Sequence, residues 1–392
     1  MTPVNQNWPS FQHLGRESDH VKKIEEVLAK ADFAYLCSKA IEYRENKENK
    51  PSLQCSVDTT RFTSGAFNVV VALDFSDSVQ WIARILLSQS TANDSDDESL
   101  SASLLSEVAT MKLVREKTKI PVPLVFGYEV SKNPLGYSYV LMEALPGNVL
   151  PSRFATSVPN EYKKKIGRIS HSGESDPNDV ESLRVFPFPM TGYLANVGPF
   201  STSLEYFYHF RKGQTRSLLE EHRGEAEWEA ALWLLETAVT SMATEEFVNG
   251  PFPLCHLDLH FNNMLFDDEF NLTGIIDWSY AQTVPVERFV VSPEFIAPPA
   301  APAAVKQSIF DFRGMFIDAW RAIGNNKSSQ QDLTLYPSKL VASPVAELVY
   351  RCTCSYPWRA IFDARLSLRL LYGENAKWEE FQKFNVEKST WK

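Results

Sequence analysis

The sequence predicts a two-lobed α+β fold: an N-terminal lobe with a five-stranded antiparallel sheet and one helix, and a mainly helical C-terminal lobe. Three observations predict it. From about Leu53, apolar and polar residues alternate as in half-buried strands. A helical pattern over 101–117 interrupts this alternation once, after which the alternation resumes. Beyond the Glu-Ala-Leu-Pro-Gly stretch at 143–147, helical spacing dominates.

The predicted N-terminal lobe has three strands, then one helix, then two strands. Turn-forming residues at 76–78 and 133–136 are expected to join neighbouring strands. An acidic, serine-rich loop over 88–99 is expected to precede the helix. The predicted strands cover 54–62, 68–75, 79–86, a stretch beginning at 121, and 137–143.

We divide the chain into an N-terminal helical extension (1–50), a nucleotide-binding lobe (51–143) and a helical lobe for catalysis and substrate binding (144–392). In the extension, an apolar stripe at helical spacing is expected to pack on the body. That stripe contains Val21, Ile24, Val27 and Leu28. The polar tract 44–50 is expected to be a helix end or an exposed link.

In the helical lobe, residues 225–247 predict one buried helix that leads to the most polar motif of the chain. Further helical spacing covers 308–323, 344–352 and 358–372. Residues 160–185 are polar and rich in helix-breaking residues, so we expect a mobile or substrate-specific insert there.

Composition limits the possible partners. The 392 residues carry a net charge of −10, which argues against nucleic acid or anionic membrane as the main partner and is compatible with a small cationic substrate. No apolar run is long enough to span a membrane, and no secretory signal is apparent. Five cysteines form no disulfide framework, so we expect reduced thiols and a cytoplasmic protein. The oligomeric state is not decided by the sequence.

The motif His-Leu-Asp-Leu-His-Phe-Asn-Asn over 256–263 carries the most chemistry. It sets Asp258 five residues before Asn263, and Asp277 follows fourteen residues later behind a short apolar run. Phosphoryl transfer from ATP needs this set: one carboxylate for the accepting hydroxyl, and an amide oxygen and a second carboxylate for magnesium. Two short strands turned at 267–268 are expected to bring the three residues to one end of the same small sheet.

Each of these residues also has a purely structural explanation. Asp258 would cap a turn, Asn263 would bond backbone, and Asp277 would close a strand. That explanation leaves three polar groups at the ends of apolar runs by coincidence, so we favour the phosphotransferase interpretation.

The 256–263 motif, together with Ile-Ile-Asp-Trp-Ser over 275–279, resembles the aminoglycoside phosphotransferase and choline kinase-related family, which has the protein-kinase-like fold. The longer stretch Asp-Trp-Ser-Tyr-Ala-Gln-Thr-Val-Pro over 277–285 is similar to its fungal branch. The resemblance covers roughly 55–375 and implies ATP and Mg²⁺ as cofactors. It implies that Asp258 accepts or orients the hydroxyl proton and that Asn263 and Asp277 hold Mg²⁺. His260 either points toward the transferred phosphate or bonds backbone.

The nucleotide pocket begins with Ser64, Gly65 and Phe67, between the first two strands. Backbone N–H groups there would face the phosphates, and glycine allows close approach. A plain hairpin turn explains the loop equally well, because it contains one glycine. By resemblance, the fifth strand ends in the hinge, where backbone groups of Met142 to Ala144 would meet the adenine edge.

Arg84 stands on the third strand where this fold usually has a lysine for the phosphates. Its inward orientation is predicted by Ile82 and Leu86, which share its parity; the alternative is a solvent-facing arginine. On the following helix, Glu107 lies within the apolar stripe, where a carboxylate is costly unless paired. We therefore predict an Arg84–Glu107 ion pair, against the alternative that Glu107 faces solvent.

The sequence thus predicts an ATP- and Mg²⁺-dependent phosphotransferase acting on a hydroxyl of a small metabolite. The acceptor is expected between Asp258 and the helical lobe, near Glu287 or Asp311. A different class remains open: a pseudokinase-like nucleotide-binding or scaffold protein, which the single-glycine loop and Arg84 would suit.

Overall fold

The computed structural model describes residues 8–12, 14, 18–48, 52–87, 94–130, 132–150, 198–291, 311, 314–315, 317–318, 340–341, 343–354 and 357–389. These residues belong to two compact units. The first contains the described residues up to 150 together with 261–279. The second contains 198–260 and the described residues from 280 onward. The predicted 160–185 insert lies outside the described residues, as do eleven of the sixteen residues of the predicted 308–323 helix.

Two helices open the first unit: α1 (Asp19–Lys30) and α2 (Phe33–Glu48). The Ser18 hydroxyl accepts a hydrogen bond from the Val21 N–H and caps α1, satisfying a donor that the helix itself leaves unpaired. The apolar stripe of α1 is buried as predicted, and with Leu36 and Ala40 of α2 it joins the core of the sheet. Both helices are therefore part of this unit's hydrophobic core.

Arg44 lies in the tract predicted to be a helix end or an exposed link, and its side chain is only 1 % exposed. The tract does contain the end of α2, but the guanidinium turns inward over the Phe75 ring, 4.6 Å from the centroid. Its two Nη atoms donate to the two carboxylate oxygens of Asp77, at 2.8 and 2.6 Å. Asp77 is 33 residues away on the chain, so no local pattern signals this fork-shaped pair.

Replacing Arg44 by Met should lower the free energy of unfolding by about 2 kcal/mol. A fully buried pair loses about 3–5 kcal/mol when broken, and Asp77, 29 % exposed, can regain part of its hydration. Urea unfolding measures the change. Arg61→Met is the matched control, because Arg61 and Asp58 form an exposed pair expected to contribute less than about 0.5 kcal/mol. Equal losses in the two variants would contradict the assignment.

The five-stranded antiparallel sheet of the first unit has the order β1-β2-β3-β5-β4. The turn predicted at 76–78 joins β2 to β3, and the Ser78 N–H donates to the Phe75 carbonyl there. The turn predicted at 133–136 leads into β5, and the Gly136 N–H donates to the Asn133 carbonyl. The fold class is therefore confirmed in its N-terminal part. The strands are β1 (Cys55–Ser64), β2 (Asn68–Phe75), β3 (Gln80–Leu86), β4 (Val125–Glu129) and β5 (Tyr139–Glu143).

Helix α3 (Asp94–Lys117) follows β3 and begins seven residues before the predicted start. Part of the expected 88–99 loop is thus helical. The predicted stripe of Leu104, Val108 and Met111 is buried.

The second unit is mainly helical, as predicted. The expected single helix over 225–247 is wrong: the chain forms α5 (Ala226–Thr237), α6 (Val239–Met242) and a 3₁₀ turn over Glu245–Phe247. The break falls at a Thr-Ala-Val-Thr run, where the Thr237 hydroxyl donates to the Leu234 carbonyl. β-Branched residues and such side-chain bonds weaken the regular helix. Helix α4 (Ser203–Glu221), with a capping box at Thr202 and Glu205, precedes them.

The last helices complete this unit's core. Residues 344–352, predicted as one helix, instead form α8 (Pro344–Val349) followed by a π-helical turn over Tyr350–Cys354. The predicted 358–372 helix is confirmed apart from its first turn, as 3₁₀ turn Pro357–Arg359 and α9 (Ala360–Tyr372). Helix α10 (Trp378–Ser389) ends the described chain. None of the described helices is long and apolar enough to cross a membrane.

Two small sheets flank the polar motif. In the first unit, β8 (Met264–Phe266) and β9 (Leu272–Ile275) form the predicted hairpin, and β6 (Asn148–Val149) pairs with β8. In the second unit, β7 (Leu254–His256) pairs with β10 (Ala281–Thr283). The prediction that Asp258, Asn263 and Asp277 sit at one end of the same sheet is therefore wrong for Asp258, because the strand that precedes it belongs to another sheet.

Candidate active site

Arg84 is held in the middle of the first unit's sheet. Its backbone is in register with Val70 of β2 and Val140 of β5. Trp81, Ala83 and Ile85 of the same strand point to the hydrophobic core, so Arg84 lies on the opposite face with Ile82 and Leu86. Its side chain is nonetheless buried, with 8 % of the residue exposed. The predicted inward cation is confirmed.

The partner of this cation is Glu107, as predicted. Glu107 lies within the buried stripe of α3 and is 3 % exposed, and its Oε2 accepts a hydrogen bond from Arg84 Nη2. Burial by itself lowers the pKa of Arg84, but attraction to Glu107, its hydrogen bond and the nearby Asp277 together raise that pKa above its ordinary value. Arg84 therefore stays charged at every pH at which the protein folds.

Asp277 is the second anion of this cluster. Arg84 Nη1 lies 3.4 Å from Asp277 Oδ1, whereas Nη2 donates to Glu107. The two Nη atoms of one guanidinium therefore contact two different carboxylates. The backbone of Asp277 has a φ of +61°, a left-handed conformation that side chains other than those of Asn and Asp rarely adopt. Trp278 is buried next to it, and its Nε1 donates to the Ile275 carbonyl at 2.9 Å. Such strain persists only where surrounding contacts hold it, often at functional sites.

Ser279 is a member of this cluster that the sequence did not single out as a site residue. Its Oγ lies 2.8 Å from Asp277 Oδ1 and 3.0 Å from Glu107 Oε2. These are the same two oxygens that Arg84 contacts. No signal in the sequence indicates such a bridge, because Glu107 is 172 residues away.

The cluster is suited to a charged ligand in two respects. Its formal charges, one guanidinium against Glu107 and Asp277, leave one negative charge in excess. Arg84 Nε and Glu107 Oε1 are buried without a hydrogen-bond partner in the described part of the chain, a costly state for a polar atom. Asp277 Oδ2 likewise has no hydrogen bond or ion pair to any described residue, which leaves one carboxylate oxygen for a cation.

Asn263 lies beside Asp277 at one end of the β8–β9 hairpin. Met264 pairs with Ile275, and one step further the Ile276 N–H donates to the Asn263 carbonyl at 3.0 Å. Asn263 is buried, with 5 % exposed. The predicted convergence of Asn263 and Asp277 is therefore observed, and an amide and a carboxylate are oxygen ligands that Mg²⁺ accepts.

Asp258 and His260 belong to the second unit, whose boundary with the first falls directly after His260. They follow β7 in a turn and a bend. His260 Nε2 lies 3.5 Å from Asp258 Oδ2, and both side chains are about 30 % exposed, at 31 % and 29 %. The sequence predicted that His260 either points toward the transferred phosphate or bonds to the backbone. In the structure its imidazole lies next to the Asp258 carboxylate.

The predicted phosphate loop, with Ser64, Gly65 and Phe67, connects β1 to β2. The Gly65 N–H donates to the Asn68 carbonyl at 3.1 Å and closes a tight turn. A Cβ built on Gly65 would meet no atom within 4 Å, and its φ lies outside the left-handed range. The turn itself therefore does not require glycine. Phe67 is 64 % exposed, although its carbonyl accepts from the Leu87 N–H.

At the predicted hinge, Met142 is buried in β5 between Ile82 and Val125, and Ala144 follows the last strand residue. Glu143 adds a contact that the sequence did not indicate. Its Oε2 accepts from Arg115 Nη1 at 2.7 Å and from the Leu124 N–H at 3.0 Å. These bonds tie the end of β5 to the segment before β4.

The two residues predicted to lie near the acceptor, Glu287 and Asp311, differ in their exposure to solvent. Glu287, in α7 (Val286–Phe289), is fully buried, and its Oε1 accepts from the Thr244 N–H and hydroxyl, both at 2.7 Å. It braces the second unit and is not exposed to a dissolved acceptor. Asp311 is exposed, within a stretch of which only single residues are described.

A known protein family matches the part of the chain that contains this site. The model of the phosphotransferase enzyme family matches residues 58–287, which is more than half of the chain and includes every candidate site residue described in this subsection except Asp311. The chain belongs to the phosphotransferase enzyme family. The predicted resemblance and the kinase-like fold class are thereby confirmed.

Relatives of this chain occur in fungi. It is 37 % identical over 107 residues to a subtelomeric hrmA-associated cluster protein of Aspergillus fumigatus, a match that covers 27 % of this chain and 20 % of that protein. It is 25 % identical over 271 residues to the clavilactone A biosynthesis cluster protein Y of Ampulloclitocybe clavipes, covering 62 % and 65 %. The matches thus span about a fifth and just under two thirds of these relatives' lengths.

Among solved structures, the chain is similar to a Plasmodium vivax ethanolamine kinase, with a TM-score of 0.44, 12 % identity and 96 % of both chains covered. A protein from Thermobifida fusca described as a putative fructosamine-3-kinase has a TM-score of 0.45 at 15 % identity. This match covers 80 % of this chain and 93 % of that chain. At these TM-scores the likenesses carry no argument about function.

Proposed function

We propose that this protein moves the γ-phosphate of ATP to a hydroxyl of a small, cationic or neutral metabolite in a Mg²⁺-dependent reaction. The observation that carries the proposal is the cluster of Arg84, Glu107, Asp277 and Ser279. It combines a buried cation, an excess negative charge, orphaned polar atoms and a strained aspartate. A purely structural ion pair explains the first of these features and leaves the others without a cause.

The residues of the β8–β9 hairpin fit a magnesium ion. Asp277 Oδ2 and the Asn263 side-chain amide would hold it, because both are hard oxygen ligands at the same end of the hairpin. Bound there, Mg²⁺ supplies neutralisation of the charge that develops on the phosphate oxygens. The residues themselves change no bond; they fix where that charge is neutralised.

The remaining contacts would orient the nucleotide. Arg84 presents a guanidinium that can fork onto phosphate oxygens, and a Cβ built on Gly65 would meet no atom within 4 Å, so a phosphate could approach this backbone closely. Backbone groups from Met142 to Ala144 would meet the adenine edge. Holding the phosphates in one geometry removes entropy from the transfer step in advance, which is the main way this reaction class is accelerated.

Asp258 would accept or orient the proton of the attacking hydroxyl. Its carboxylate is 29 % exposed and can therefore meet a dissolved acceptor. His260, 3.5 Å away, would hold that carboxylate in place. General-base assistance of this kind contributes about 10²–10⁴-fold in rate.

The acceptor class is supported by charge and by relatives. A net charge of −10 favours cationic or neutral small molecules over polyanions such as nucleic acid. One relative is named for the biosynthesis cluster of clavilactone A, which makes hydroxyl groups of secondary metabolites the first acceptors to screen.

The test is a binding assay followed by a turnover screen. Mg-ATP should raise the melting temperature, and ATP consumption should appear with one class among amino alcohols, sugars and secondary-metabolite alcohols, with the phosphoryl group found on the acceptor oxygen by mass spectrometry. Binding of Mg-ATP without turnover across the panel would instead support the pseudokinase-like scaffold. Absence of any nucleotide binding would contradict both.

Gly65→Ala separates the phosphate loop from a plain turn. Because the added Cβ meets nothing and φ is ordinary, the free energy of unfolding should change by less than about 0.5 kcal/mol. Mg-ATP affinity should fall about tenfold, since the methyl group lies where phosphates approach the backbone.

The matched control is Gly136→Ala. Gly136 is also free of neighbours, but its φ is +85°, so alanine should cost about 1 kcal/mol of stability and leave ATP affinity unchanged. Unchanged affinity in Gly65→Ala would make its loop a plain turn.

A further inference from the structure

The Arg84 guanidinium contacts two carboxylates that differ in surroundings. Glu107 is buried within α3, whereas the Asp277 side chain is 36 % exposed at the open end of the cluster. Nη2 serves Glu107 and Nη1 serves Asp277. The Asp277 contact, at 3.4 Å, is the longer one. Arg84 is therefore anchored by one carboxylate and only loosely engaged with the other.

Arginine is required for this arrangement. A lysine ammonium is a single point of charge, whereas the planar guanidinium carries separate donors that can reach two anions at once. The departure from the usual lysine thus has a structural consequence: the same cation that pairs with Glu107 also neutralises Asp277.

We infer that Arg84 acts as an internal counter-cation of Asp277 that opposes divalent-metal binding until a nucleotide draws the guanidinium away. The inference rests on the proposed function, because it concerns the same metal and nucleotide site. A polyphosphate carries more negative charge than one carboxylate, and its oxygens accept hydrogen bonds from a guanidinium. Transfer of Nη1 from Asp277 to phosphate leaves the aspartate charge uncompensated for the metal.

Ser279 makes this exchange possible without loss of the Asp277 conformation. Its hydroxyl is 2.8 Å from Asp277 Oδ1 and 3.0 Å from Glu107 Oε2. When Nη1 leaves, Oδ1 keeps the Ser279 hydrogen bond, so the carboxylate stays oriented. Oδ2, which has no hydrogen bond or ion pair to the described residues, is then the oxygen presented to the cation.

The consequence is reciprocal coupling between metal and nucleotide. If nucleotide raises the affinity for metal by removing Arg84 from Asp277, metal must raise the affinity for nucleotide by the same factor. The nucleotide-free protein is then protected from binding divalent cations alone.

The decisive variant is Arg84→Met combined with Glu107→Gln. Removing one positive and one negative charge leaves the cluster's net charge unchanged, and no buried charge loses its partner. A change in metal affinity therefore reports the position of the counter-cation and not the overall field. The probe is Mn²⁺, titrated into the full chain without nucleotide and followed by the electron paramagnetic resonance signal of the free ion.

The double variant should bind Mn²⁺ alone at least about tenfold more tightly than the unaltered protein, a change of about 1.4 kcal/mol. Arg61→Met combined with Asp58→Asn is the matched control: it also removes one positive and one negative charge, but from an exposed pair outside the cluster, so its Mn²⁺ affinity should stay within about threefold of the unaltered protein. Adding Asp277→Asn to the double variant should abolish the gain.

Circular dichroism and the melting temperature show whether the double variant is folded like the unaltered protein. If the folded double variant binds Mn²⁺ equally or more weakly, the inference is overturned and the proposed function stays intact. If no protein of the series binds Mn²⁺, with or without ADP, the proposed function falls and the inference with it. An equal gain in the Asp277→Asn background would move the metal to another site and overturn the inference alone.

Discussion

Replacing Asp258 by Asn should lower kcat about 10³-fold while the affinity for Mg-ATP changes less than about twofold. Asparagine has nearly the same shape as aspartate, but it cannot take a proton and carries no charge. Arg84, Glu107 and Asp277, which we propose to face the nucleotide, belong to the other unit and are untouched. Steady-state turnover with the acceptor found by screening measures the effect, and thermal shift with Mg-ATP measures binding.

The fold should tolerate this change. Asp258 and His260 are each about 30 % exposed and 3.5 Å apart, and exposed pairs of this kind contribute less than about 1 kcal/mol. Asp268→Asn, an exposed aspartate in the turn of the β8–β9 hairpin, is the matched control and should leave kcat unchanged. If Asp258→Asn retained turnover within tenfold of the unaltered protein, Asp258 would not be the group that handles the hydroxyl proton.

The parts of this site that the sequence predicted are those encoded by local spacing. The period-two pattern placed Arg84 on its strand, the helical stripe placed Glu107 inward, and the short hairpin brought Asn263 next to Asp277. In each case one face of one element decides the orientation. A buried carboxylate and a buried cation then require each other, so their pairing followed without knowledge of the fold.

The parts that the sequence did not predict depend on residues far apart in the chain. Arg44 lies in a tract that is polar throughout, and only its contact with Asp77 reveals that it is buried. The strand before Asp258 pairs with β10, which no turn or loop length specifies. Ser279 bridges Glu107 across 172 residues. Long-range register and side-chain networks of this kind leave no periodic trace in a sequence.

Replacing Asp277 by Asn should weaken Mn²⁺ or Mg²⁺ binding in the presence of ADP by at least about 100-fold, because the site loses its exposed carboxylate. Asparagine is the informative substitute. It tolerates the φ of +61° that Asp277 adopts, whereas alanine there would add about 1–2 kcal/mol of backbone strain. Its carbonyl oxygen can also keep the Ser279 hydrogen bond.

This variant separates charge from conformation. Arg84 retains Glu107, so the free energy of unfolding should change by less than about 1 kcal/mol. In the absence of metal, ADP should bind at least as tightly as it does to the unaltered protein, since its phosphates then compete with one carboxylate fewer for the guanidinium. Isothermal titration with ADP, repeated at several metal concentrations, measures both affinities. Metal affinity equal to that of the unaltered protein would exclude Asp277 as a ligand and reduce the cluster to a structural ion pair.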